Sequence, residues 1–134
     1  MKQILFVCVH NSGRSQMAEA MLNQKAQEAG VEIQGASAGT MPTDRINPAA
    51  VQAMQEIGIS MDGQRPKLLT QAMVDESDLV VTMGCGVDAA ACPARIYISE
   101  DWGLDDPAGQ SVETVREIRD QIAARVEAML KENK

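Results

Sequence analysis

Residues 4–22 constrain the fold more than any other stretch of the chain. Ile4-Leu5-Phe6-Val7 is an unbroken apolar run, as a strand buried on both faces requires. Gln16-Met17-Ala18-Glu19-Ala20-Met21-Leu22 reads as helix. Between them lies one tight polar loop, Cys8-Val9-His10-Asn11-Ser12-Gly13-Arg14-Ser15. A cysteine therefore ends a strand, and an arginine six positions later opens a helix.

The alternation continues along the chain. The first strand is predicted over Gln3–Val9. The first helix runs from about Ser12 to Ala29, with Met17, Met21, Leu22 and Ala26 as its apolar stripe and Gly30 as its stop. A mixed strand follows over Val31–Ala38, then a loop over Thr40–Ile46. Asn47-Pro48 marks a helix start, with Ala50, Val51, Met54 and Ile57 on one face. After a loop at Ile59–Lys67, Thr70 caps a short helix, Gln71–Glu76. Asp78–Met83 is the third strand, Gly84–Ala94 a loop, Arg95–Ile98 the fourth strand and Glu100–Gln110 a polar loop. Ser111 caps a last helix that turns Val115, Ile118, Ile122, Val126, Met129 and Leu130 inward. Strands alternating with helices predict a four-stranded parallel, doubly wound α/β sheet of order 2-1-3-4, one domain over residues 1–134. Ligands of such sheets sit beyond the carboxyl ends of the strands at the switch point, where Cys8 falls.

The loop has a chemistry of its own. Backbone N–H groups at a helix start lack intrahelical partners and carry partial positive charge, so Val9, His10, Asn11, Ser12 and Gly13 would form an oxyanion cradle. Arg14 adds a planar two-pronged grip. Cys8 facing that cradle should be a thiolate, since thiols in such settings fall from about 8.5 to roughly 3.5–7.5. Ser15 can donate its hydroxyl to the sulfur. Asn11 and Gly13 are expected to supply left-handed backbone.

Composition narrows the ligand. The chain of 134 residues is 45% hydrophobic, enough for a core, and has a formal net charge of −7 without a Lys/Arg cluster. Nucleic acid and anionic membranes are poor partners for it, and an anionic substrate must be attracted locally. No apolar run approaches membrane length and no signal peptide precedes the first strand, so a cytoplasmic location is expected. The acidic, aromatic-poor surface points to a monomer.

Three cysteines in a reducing compartment suggest redox or nucleophilic work. Cys85 lies two residues beyond the third strand. If strands one and three are neighbours about 4.8 Å apart, Cys85 opens onto the rim of Cys8, and a disulfide needs Cα atoms within roughly 7 Å. Cys92 follows after a Gly- and Ala-rich gap that can bring it to Cys85. Buried small hydrophobes are the plain alternative; zinc is a poor one with His10 the single histidine. Asp105-Asp106-Pro107 is either a turn or the seat of a general acid.

Cys8-x5-Arg14-Ser15 after an N-terminal strand resembles the phosphate loop of the low-molecular-weight protein tyrosine phosphatases. The run Ser15-Gln16-Met17-Ala18-Glu19 is closer to the thioredoxin-coupled arsenate reductases that share their fold. The resemblance implies a three-layer sandwich, no tightly bound cofactor, Asp106 as general acid, and a relay through Cys8, Cys85 and Cys92. In that scheme Cys8 attacks arsenate held by Arg14. Cys85 then displaces arsenite to form a Cys8–Cys85 disulfide, and Cys92 takes over Cys85 for an external reductant, thioredoxin. Phosphate or sulfate would compete for the cradle. Several members of the family hold potassium near the loop, partly through an aspartate; Lys67 stands there instead, within expected reach of Asn11, Glu19 and Ser37. Gly13 replaces a second cysteine common in the loop. The rivals are a tyrosine phosphatase, a reductase fed by mycothiol or glutathione, and an anion-binding redox sensor without turnover.

Overall fold

Apolar density at the N-terminus sets the centre of the sheet. Ile4, Leu5, Phe6 and Val7 are each 1% exposed or less, so their strand needs cover on both faces. The structure, a computed structural model, describes residues 2–83, 100–104 and 109–133. Its elements are β1 (Lys2–Cys8), α1 (Arg14–Ala29), β2 (Ile33–Gly39), α2 (Pro48–Gln55), α3 (Gln71–Asp75), β3 (Leu79–Thr82), β4 (Glu100–Asp101) and α4 (Val112–Glu132). The strands lie in the order β2-β1-β3-β4, all parallel. This is the sheet the alternation predicted.

Side-chain alternation divides the core. Ile4, Phe6 and Cys8 face one layer, where Met17, Met21 and Leu22 of α1, Met54 of α2 and Ile118, Ile122 and Val126 of α4 pack. Leu5, Val7 and Val80 face the other, under Leu69 and Val74. Each large apolar side chain buried in this way contributes about 1.5–3 kcal/mol. The caps read from sequence are in place: Asn47 Oδ1 accepts from Ala49 N–H, Thr70 Oγ1 from Met73 N–H and Ser111 Oγ from Thr114 N–H. Gly30 closes α1 in the left-handed conformation, φ +68°.

Three expectations are corrected. β4 is Glu100–Asp101, inside the stretch read as polar loop, while the expected strand at Arg95–Ile98 lies outside the described residues. Two acidic residues carry no periodic signal; the ladder to Val81 and Thr82 and the bond from Trp102 N–H to Thr82 O make them a strand. The same stretch buries Trp102, whose ring lies 5.4 Å from that of Phe6, and Leu104. Second, α2 stops at Gln55 and Ile57 is 41% exposed rather than on the apolar face. Third, α1 starts at Arg14, two residues later than expected, and Gly13 is not left-handed (φ −135°). Only Asn11, at φ +51°, meets the left-handed expectation for the loop.

Candidate active site

β1 delivers Cys8 to the carboxyl end of the sheet, between Gly39 of β2 and the end of β3. The loop that follows has its carbonyl oxygens engaged one after another. Cys8 O accepts from Thr40 N–H, Val9 O from Met41 N–H, His10 O from Thr43 N–H and Ser12 O from Asn47 N–H. Asn11 O accepts from Gln16 Nε2. In a planar trans peptide the N–H points opposite to the C=O. Five outward carbonyls therefore turn the amides of Val9, His10, Asn11, Ser12 and Gly13 toward the concave side. Asn11 N–H checks this, since it reaches Cys8 Sγ at 3.2 Å. The strap from Thr40 to Asn47 thus folds the loop into an anion cradle.

The strap can lie that close because residue 39 has no side chain. A Cβ there would meet Val9 O at 2.5 Å and Asn11 Cβ at 2.9 Å. Gly39 also bonds across to the 67–69 segment, its N–H to Lys67 O and its carbonyl from Leu69 N–H.

Cys8 is 3% exposed, and its sulfur lies 2.9 Å from Ser15 Oγ. Hydrogen bonds to a sulfur favour its charged form. Arg14, 6% exposed, donates from Nη1 to Leu104 O (2.9 Å) and Met83 O (3.3 Å), tying the loop to the segments that follow β3 and β4. Behind the loop, Asn11, Ser15 and Gln16 are fully buried yet bonded: Asn11 Nδ2 to Ser15 Oγ at 2.7 Å, Gln16 Nε2 to Asn11 Oδ1 and to Arg65 O, and Gln64 Nε2 to Gln16 Oε1. Among the described residues no buried side-chain nitrogen or oxygen lacks a partner.

The sequence reading thus finds Cys8, the loop amides, Arg14 and Ser15 gathered in one place. Lys67 pairs with Glu19 at 3.8 Å, and Glu19 accepts from Ser37 Oγ at 2.9 Å. Lys67 meets Asn11, however, through its backbone N–H rather than its ammonium, which donates to Arg65 O. Cys85, Cys92 and Asp106 lie outside the described residues. The sequence reading missed Gly39, Gln16 and Gln64 as site residues. Gln16 had a signal in following Ser15 directly; Gly39 had only its place at a strand end, and Gln64 had none.

The pattern of the low molecular weight phosphotyrosine protein phosphatases matches residues 3–134. The chain belongs to that family. Within it, this chain is 40% identical over 131 residues to the glutaredoxin arsenate reductase of Synechocystis sp., with 97% of each chain covered. It is 37% identical to arsenate reductase 1 of Bacillus cereus, covering 93% of this chain and 91% of that one. The solved structure of an arsenate reductase in the phosphate binding state superposes with a TM-score of 0.84 at 37% identity over 100% of both chains. The solved structure of an arginine phosphatase, 23% identical, superposes with a TM-score of 0.81 and shares the fold.

Proposed function

We propose that the protein is an arsenate reductase in which Cys8 is the nucleophile. The observation that carries this reading is the buried Cys8 sulfur, bonded by Asn11 N–H beside a ring of five inward amides. The names of the relatives select arsenate over a phosphate ester. Arsenate enters the cradle and Arg14 holds its oxygens. The Cys8 thiolate attacks arsenic while Asp106 protonates the departing oxygen, which leaves as water. Cys85 then attacks Cys8 sulfur. Arsenic takes the electron pair of its bond to sulfur and departs as arsenite, leaving a Cys8–Cys85 disulfide. Cys92 attacks Cys85, releases the Cys8 thiolate and leaves Cys85–Cys92 for an external thiol. The register supports this route: Val7 pairs with Thr82, so β3 ends one residue short of Cys8, and Met83, two residues before Cys85, already touches Arg14. Phosphate and sulfate compete without being reduced.

The reductant is proposed to be thioredoxin, in a cytoplasmic, reducing setting and with a monomeric enzyme. A second reading, electrons from a glutaredoxin or glutathione system, is favoured by the name of the Synechocystis relative. The test is NADPH oxidation on adding arsenate, run with thioredoxin and its reductase, then with glutaredoxin, glutathione and their reductase, for each Cys→Ser variant. Cys85→Ser should end arsenate reduction and spare hydrolysis of an aryl phosphate. Arsenate reduction surviving in Cys85→Ser would overturn the Cys8–Cys85 step, and aryl phosphate hydrolysis without any arsenate reduction in the parent would leave only a phosphatase. Cys92→Ser should be inactive with thioredoxin; full activity of that variant with glutathione would select the second reading.

We also propose that Lys67 takes the place of potassium. Glu19 already faces the Lys67 ammonium and the Ser37 hydroxyl, and Asn11 Oδ1 already accepts from Lys67 N–H and Gln16. These oxygens do not fit an additional monovalent cation. Activity should be flat in a potassium titration; strong activation would overturn the substitution.

A further inference from the structure

The proton between Ser15 and Cys8 can lie on either atom by distance alone, but backbone groups far from the cysteine decide its direction. Lys67 N–H can only donate, and it meets the Asn11 side chain at 2.9 Å, so that atom is the amide oxygen. Arg65 O and Asn11 O can only accept. The Gln16 atom facing them, at 2.8 and 3.0 Å, is therefore the NH2 group, which also donates to Asn11 Oδ1 at 2.9 Å. Gln64 Nε2 holds the other end of Gln16, at 2.7 Å from Oε1 and 3.1 Å from the backbone oxygen. With its oxygen claimed twice, Asn11 must present Nδ2 to Ser15 Oγ, at 2.7 Å. Ser15 then accepts from Asn11, and its one proton points at Cys8 Sγ. Were the Asn11 amide reversed, its oxygen would draw that proton away and the sulfur would lose a donor.

We infer that Gln16, held by Gln64, is a positioning residue that sets the ionisation of Cys8 by locking the Asn11 amide and hence the direction of the Ser15 hydroxyl. The Gln16 side chain bonds to Asn11, Arg65 and Gln64 and not to the sulfur. The inference rests on Cys8 acting as a thiolate, as proposed above. The charged and titratable groups on the described elements around Cys8 are Arg14 of α1, the Glu19–Lys67 pair behind Asn11, His10 in the loop and Asp101 of β4, which Thr82 Oγ1 engages. A neutral substitution at 16 or 64 alters none of them.

The test is the pH dependence of Cys8 alkylation by iodoacetamide, with Cys85→Ser and Cys92→Ser as background so that Cys8 is the single thiol. Arsenate turnover plays no part in this readout, so it stands or falls apart from the proposed reaction. Gln16→Met should raise the Cys8 pKa by about one unit, the scale of one hydrogen bond to a charged group. Gln64→Ala should raise it by less. Ser15→Ala should raise it too, and Gln16→Met added to Ser15→Ala should raise it no further. If Gln16→Met does not fold, Gln64→Ala with and without Ser15→Ala makes the same comparison. An unmoved Cys8 pKa, or a shift equally large with alanine at 15, would overturn the inference.

Discussion

The Cys8 loop and the junction of α2 with α4 are both polar regions, and they are held in opposite ways. Around the loop, neutral side chains and backbone groups meet one another: the buried Asn11, Ser15 and Gln16, the half-buried Gln64, the 40–47 strap and the 65–67 segment. At the junction, charges meet at the surface. Glu56, at the C-terminal end of α2, accepts two parallel bonds from Arg116 at 2.7 and 2.8 Å and a third from Arg119, which also donates to Ala53 O. A carboxylate at a helix C-terminus opposes the helix dipole, and the two arginines of α4 reverse that cost. Neutral amides fix direction without adding a field, so the cradle keeps its positive character for an anion. Exposed ion pairs need no such restraint, but salt screens them.

Activity should break first at the loop. Arg14→Lys loses the planar two-pronged grip, and kcat/KM for arsenate should fall by about 10²–10³-fold while the urea midpoint moves little. Gly39→Ala tests whether the strap shapes the cradle. Its Cβ cannot share space with Val9 O, so stability should drop by about 1–3 kcal/mol in urea titration, with kcat falling further than a remote substitution of equal cost would cause. Asn11→Ala and Asn11→Gly separate backbone from amide. Alanine at φ +51° adds a conformational cost of about 1–2 kcal/mol that glycine avoids, so the glycine variant should be the more stable while both lose the same activity. Equal stability of the two would show that the left-handed backbone is not what selects asparagine.

The junction should give the smallest effect. Chiefly the Arg116 hydrogen bond pulls Glu56 from 4.5 down to about 2. A depressed carboxylate contributes stability that is present above its unfolded pKa and lost as pH falls through the folded one. Glu56→Gln should therefore melt slightly below the parent at neutral pH, with the gap closing between pH 4.5 and about 2. The gap should also narrow in high salt, and arsenate turnover should be unchanged. A gap that ignores salt would place the contribution in packing rather than charge.

The contrast also explains what could be read from the chain. Strand and helix signals repeat within a few residues, so Ile4–Val7, the caps at Asn47, Thr70 and Ser111 and the inward stripe of α4 were legible. Cys8, Arg14 and Ser15 were legible because a strand-loop-helix places them together by local geometry. Gly39 was not, because its constraint comes from Val9 and Asn11 across the sheet edge. Nor were Gln64 and the Lys67 amide, whose partners lie 48 and 56 positions away. The sequence pointed to the Lys67 ammonium as the group that reaches Asn11, whereas the contact is through the backbone. The strand at Glu100–Asp101 was read as loop because two acidic residues are held there by their neighbour rather than by their composition.

By itself, then, the sequence determined the order of elements, the buried central strand and the placing of Cys8 and Arg14 at the two ends of one loop, because each follows from contacts within one turn or one strand. Tertiary structure alone decided which way the loop's amides face and which atom of Asn11 meets Ser15. Those orientations are fixed by hydrogen bonds between segments distant in sequence, and a hydrogen bond has a direction that residue type does not specify.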